Sequence, residues 1–139
     1  GAEDRRALAQ AHNILGILAS GQNDPQQARQ HLERSLELAE ALGEPGARAA
    51  ALNNLALALR AQDDFAQALR LTEKALALSA AQGDRHREAA LHNNLADLLH
   101  ASGQAEAARQ HVRQSVTIYA EIGGEVGLLS PEIWKLSEW

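Results

Sequence analysis

The sequence predicts an all-α fold, an α-α superhelix (solenoid) of three helical hairpins followed by a C-terminal capping helix. The first observation behind this is a self-match at a period of 40 residues. HNILG at 12–16, LNNLA at 52–56 and HNNLA at 92–96 align without a gap, and the register continues through Ala28/Ala68/Ala108, Leu36/Leu76/Val116 and Gly43/Gly83/Gly123. Fixed-period similarity of this length marks a stacked array, in which each unit relies on its neighbours to cover its apolar face. The second observation is that helix formers dominate, strand signals are nearly absent, and turn residues recur at regular intervals.

Paired helices follow in order. The first helix of each hairpin is expected over 4–21, 46–61 and 86–101, and the second over 25–42, 65–82 and 105–122, giving repeats at 4–43, 44–83 and 84–123. Asp24-Pro25-Gln26-Gln27 and Asp64-Phe65-Ala66-Gln67 each set an acidic N-cap three residues ahead of a glutamine, and Pro25 takes the first helical position. Gly43, Gly83 and Gly123 stand where a helix ends in a left-handed residue. Small residues recur where two helices must touch, at Gly16/Ala56/Ala96, Ala28/Ala68/Ala108 and Ser35/Ala75/Ser115. Leu15/Leu55/Leu95 and Leu32/Thr72/Val112 fill the space beside them.

Beyond Gly124 the phase breaks, because the register would put Pro131 inside a fourth first helix, where the missing N–H and the ring are disfavoured. Residues 125–139 are therefore expected to hold a capping helix with Ser130 as its N-cap. Ile133, Trp134, Leu136 and Trp139 would cover the end of the last repeat, or serve as a homodimer contact or a docking edge for another domain.

Composition narrows the function. A length of 139 residues suffices to bury about two-thirds of the unfolded surface. Without cysteine the chain has no disulfide, thiolate nucleophile or cysteine-type zinc site. A net charge of −5, with 13 basic residues scattered among 18 acidic ones, argues against a nucleic-acid surface. No apolar run reaches the roughly 18 residues that would cross a bilayer, so a cytoplasmic setting without membrane contact is expected. The chain starts at Gly1 and contains no Met, so it is either Met-processed or, as is expected here, a fragment of a longer protein.

The repeat resembles the tetratricopeptide repeat over residues 4 to 123. The family's leucine followed by a small residue is matched by Leu15-Gly16, Leu55-Ala56 and Leu95-Ala96. Its alanine early in the second helix is matched by Ala28, Ala68 and Ala108, and its aromatic opening that helix by Phe65 alone. The family's usual unit is 34 residues, so 40-residue copies are closer to the long-repeat type of kinesin light chain, spindle-orientation adaptors and bacterial signalling proteins. The resemblance implies a protein-interaction module, in which the first helices line a concave wall.

On that reading the wall carries Asn13, Ile17, Ser20, Asn53, Asn54, Leu57, Arg60, Asn93, Asn94, Asp97 and His100. Carboxamides can pair with the main chain of an extended peptide without reading its side chains. They can equally satisfy neighbouring helices. The carboxylate clamp of some family members, two Lys, one Arg and two Asn, corresponds here to Asn13, Ile17, Asn54, Ala90 and Asn94. Only Asn54 agrees, so the charge-assisted bonds of a chaperone-tail receptor are missing.

Six histidines invite a metal or catalytic reading. His12 and His92 share a repeat position with Leu52, however, and His31 and His111 share one with Leu71, which points to packing. Asp97 and His100 lie one turn apart, two ligands where a metal site needs three or four. No catalytic motif appears. The expectation is therefore no enzyme, metal or cofactor, with a protein or peptide as partner. The rival reading is a structural array that packs on another domain of its parent chain or self-associates, with the groove empty.

Overall fold

The computed structural model describes residues 1–123 and Lys135. Six helices follow one another: α1 (Ala2–Gly21), α2 (Pro25–Leu42), α3 (Pro45–Ala61), α4 (Phe65–Gln82), α5 (Arg85–Ala101) and α6 (Ala105–Ile122). There is no strand among the described residues. Each helix falls where the repeat places it, with ends displaced by two residues at most. Of the capping residues expected at 125–139, Ile133, Trp134, Leu136 and Trp139 lie outside the described residues.

The helix ends show why the chain turns where it does. The side chains of Asp24, Asp64 and Asp84 accept from the main-chain N–H of Gln27, Gln67 and Arg87 at 3.2, 3.3 and 3.2 Å. Only this half of the expected capping box forms. The Gln27 side chain lies 3.5 Å from His31 Nε2 instead, and that of Gln67 accepts from Arg70. Gly43, Gly83 and Gly123 adopt the left-handed conformation that ends a helix, with φ between 66° and 71°.

A second left-handed position, unremarked in the sequence reading, sits in the other turn of each repeat. Asn23, Asp63 and Gly103 have φ of 60°, 64° and 80°. In each case the following residue donates to the carbonyl five positions back: Asp24 to Ala19, Asp64 to Leu59 and Gln104 to Leu99, at 2.8–2.9 Å. Asn, Asp and Gly are the residues that tolerate this backbone, so the signal was present at period 40.

The molecule divides into two compact units, residues 1–75 and 76–139. In the first, α1 packs along α2, and α2 also packs on α3. A Cβ added at Gly16 would stand 2.5 Å from Leu32 Cγ and 3.3 Å from the Ala28 carbonyl oxygen, so glycine is what lets α1 approach α2. In the second unit α5 packs along α6, with a core built on Ala96, Ala108 and Val112 and flanked by Leu99 and Val116. The repeat thus varies its filling in a compensating way, Gly16 with the larger Leu32 in one unit and Ala96 with the smaller Val112 in the other.

The small serines also tie helices together. Ser35 Oγ donates to the Ala9 carbonyl at 2.8 Å, and Ser115 Oγ to that of Ala89 at 2.9 Å. These are the same bond from second helix to first, and each satisfies a hydroxyl that burial would otherwise penalise.

Candidate functional site

In the first unit the predicted wall residues sit on α1 and α3, which touch. Asn54 Nδ2 donates to Asn13 Oδ1 at 2.7 Å, bridging the two helices. That bond uses one amide hydrogen of Asn54 and the carbonyl of Asn13, leaving the Asn13 amide and the Asn54 carbonyl for a partner. Ile17 and Leu57 occupy the same repeat position and are 51% and 43% exposed, an unusual display for large apolar side chains on adjacent helices. Asn53 and Arg60 are half-buried on α3.

Beside Asn13 a cleft of about 240 Å³ opens among α1, α2 and α3. Its lining includes Ala9, Ala39, Ala47, Ala50 and Ala51, with the Arg6–Glu44 ion pair also on its border. The hydrogen bond from Arg6 holds the Glu44 carboxyl below the usual carboxylate range. The sequence reading missed this cleft. Its signal is the alanine run on α3, whose short side chains leave space that leucines would fill.

The second unit presents a different wall. At the position of Ile17 and Leu57 stands Asp97, and it is engaged: Lys135 Nζ donates to Asp97 Oδ1 at 2.7 Å and to Asn93 Oδ1 at 3.0 Å. Lys135 is only 2% exposed. Its bond to Asn93 spans 42 residues, much as the bond from Asn54 to Asn13 spans 41. Asn94 is half-buried, and His100 is exposed.

The histidines pair between helices. His12 Nδ1 lies 3.0 Å from His31 Nδ1 in the first unit, and His92 Nδ1 lies 2.9 Å from His111 Nδ1 in the second. Their ring centres are 5.3 and 5.1 Å apart. The centres are farther apart than the nitrogens by about the depth of two half-rings, so the rings meet edge to edge. Burial pushes His92 below the usual histidine range. His111 adds to that push, Glu88 opposes it and Arg85 reinforces it. Among the described residues no three His, Cys, Asp or Glu side chains gather as metal ligands, and no helix is long and apolar enough to cross a membrane.

One face of α1 departs from its repeat equivalents. Leu15 is 45% exposed, whereas Leu55 and Leu95 at the same position are 5% and 1% exposed. Leu8, Ile14 and Leu18 are exposed with it. In α3 and α5 the equivalents of Leu15 and Leu18, namely Leu55, Ala58, Leu95 and Leu98, are all buried.

Comparison with known proteins agrees with this architecture. Two family models described as tetratricopeptide repeat match residues 8–44 and 47–121, and both are of the longer, kinesin-light-chain-like type. No curated protein sequence matches the chain. Among solved structures, the TPR domain of Arabidopsis FLU is similar at 18% identity and a TM-score of 0.76, covering 84% of this chain and 98% of that one. BtubC (BKLC) from P. vanneervenii is similar at 23% identity and a TM-score of 0.78, covering 84% of this chain and 48% of that one. The N-terminal domain of stress-induced protein-1 (STI-1) from C. elegans is similar at 20% identity and a TM-score of 0.73, over 96% and 95% of the two chains. These likenesses show a shared fold. The chain belongs to the tetratricopeptide repeat family, whose helical hairpins form protein–protein interaction modules.

Proposed function

We propose that the first unit binds an extended segment of a partner protein along α1 and α3. The observation that carries this reading is the pairing of exposed Ile17 and Leu57 at equivalent positions beside the Asn13–Asn54 bridge, next to an alanine-lined cleft. An apolar partner side chain packs on Ile17 and Leu57 or enters the cleft, while the unused carboxamide groups pair with its main chain. Burying two half-exposed aliphatic side chains supplies about 2 kcal/mol of favourable transfer, enough to set the register of a segment otherwise held by main-chain bonds. The role is that of a non-catalytic scaffold in a larger regulatory or signalling protein, cytoplasmic and without a nucleic-acid or membrane partner. Asn53, Arg60, Asn94 and His100 border the two walls. In the second unit Asn93 and Asp97 are met by Lys135, which favours the first unit as the peptide surface.

The test is selection from a library of unstructured peptides, followed by mapping of the bound peptide through backbone amide shifts. Perturbations centred on Asn13, Ile17, Asn54 and Leu57 are expected. The double substitution Ile17→Glu/Leu57→Glu is expected to weaken binding at least tenfold while leaving the thermal midpoint nearly unchanged. Selected peptides that map elsewhere, or that bind the double variant equally well, rule the surface out.

The apolar face of α1 favours a second reading. Leu15 and Leu18 hold positions that are buried in the later first helices, and Leu8 and Ile14 are exposed beside them, so a further helical surface, from another domain of the parent chain or a second copy, would dock there. A stable dimer in light scattering that dissociates on Leu15→Asp supports this reading over the first.

A further inference from the structure

We propose that His92 and His111 form a single-proton latch that joins α5 to α6 and makes this hairpin acid-sensitive. The two Nδ1 atoms face each other at 2.9 Å, edge to edge. That distance admits one hydrogen between them, with one ring donating and the other accepting. It leaves no room for a metal ion on the line between the facing nitrogens, which at the usual bond length of about 2.0 Å each would need to stand about 4 Å apart. A neutral pair satisfies the geometry, and so does a singly protonated one. A doubly protonated pair does not, because two N–H groups and two like charges would meet at hydrogen-bond distance.

Burial assigns the roles. His92 is buried and His111 only half so, which makes His92 the acceptor and His111 the donor of the shared hydrogen. Of the groups around His92, Glu88 opposes the push of burial but does not reverse it. Arg85 and Glu88 on its own helix pair with one another at 3.0 Å, and Arg85 also reaches Glu121 on α6. Lys135 is held on α5 by Asn93 and Asp97. A cleft of about 290 Å³, lined by Arg85, Glu88, His92, Gln114 and Glu121 among others, gives water access to the ring. The chain supplies two internal comparisons. His12 and His31 repeat the same meeting in the first unit, and at the equivalent positions of the middle repeat stand Leu52 and Leu71, buried side chains that do not titrate.

The direction with pH follows from proton counting. In the unfolded chain both rings take a proton below about pH 6.5; in the folded hairpin His92 takes its proton only at lower pH, its affinity reduced by burial and by His111. Through that shift the unfolded state binds up to one proton more at His92, so this contribution to stability is complete well above pH 6.5 and falls as the pH drops through it. One proton of difference lowers the folding equilibrium constant by up to tenfold per pH unit.

Urea unfolding of the intact chain between pH 7.5 and 5.0, beside the double variant His92→Leu/His111→Leu, tests this. The latch requires that the variant lose that tenfold-per-unit component while acid titration of all other groups remains common to both. Parallel pH profiles overturn it. Should the variant not fold, imidazole ¹⁵N resonances of the unmodified chain decide: His92 Nδ1 staying unprotonated while His111 titrates upholds the latch, and two independent rings with a common midpoint near 6.5 refute it.

Discussion

Gly16 offers a sharp perturbation, because the repeat itself supplies its remedy. A methyl group at this position would meet Leu32 Cγ at 2.5 Å and Cδ2 at 2.7 Å, and Leu32 is fully buried. Overpacking of this kind costs about 1–3 kcal/mol, while exchanging glycine for alanine inside a helix returns about 1 kcal/mol of propensity. Gly16→Ala alone is therefore expected to lose about 1 kcal/mol net. Leu32→Val alone removes one methylene beside a glycine and loses about 1 kcal/mol. Together they recreate the Ala96–Val112 filling of the second unit, so the double variant keeps the propensity gain without the clash. Urea unfolding followed by circular dichroism should place the double variant at least 1 kcal/mol above the sum of the single losses. Strict additivity would refute the claim that these two positions set the α1–α2 separation.

Two further positions probe the Lys135 contact and the left-handed turn. Lys135→Met removes the cation that Asn93 and Asp97 share in a buried setting, and an unfolding midpoint reporting a loss of about 1–3 kcal/mol is expected, largely recovered when Asp97→Asn is added; no change would show that the contact is incidental. Asp63→Ala places a Cβ-bearing residue without a polar side chain at φ 64° and is expected to cost about 1 kcal/mol by thermal unfolding, whereas Asp63→Gly, which copies Gly103, costs nothing. The Ile17/Leu57 binding test and the His92/His111 pH profile stand beside these as checks on function and regulation.

Much of the fold was legible from the 40-residue register because helix ends are local events. Asp24, Asp64, Gly43, Gly83 and Gly123 act on backbone groups within a few residues of themselves, so their roles survive without knowledge of neighbours. The wall was legible only in part. Side chains at the Asn13 position of α1 and the Asn54 position of α3 can face solvent or each other, depending on how one helix is rotated against the next. That rotation brought Asn54 to Asn13. Periodicity equated Ile17, Leu57 and Asp97, yet only packing set Lys135 against the last of them.

By itself the sequence determined which segments are helical, where they stop, and which positions must be small, since propensity, capping and close contact act over a few ångströms of nearby chain. The tertiary structure decided which equivalent residues became different. It left Leu15 open where Leu55 and Leu95 are closed, brought His92 and His111 together across 19 residues, and drew a distant lysine to Asn93. The physical reason is that burial and hydrogen bonding depend on what lies on the far side of a side chain. A repeat copies the residue but not its neighbour.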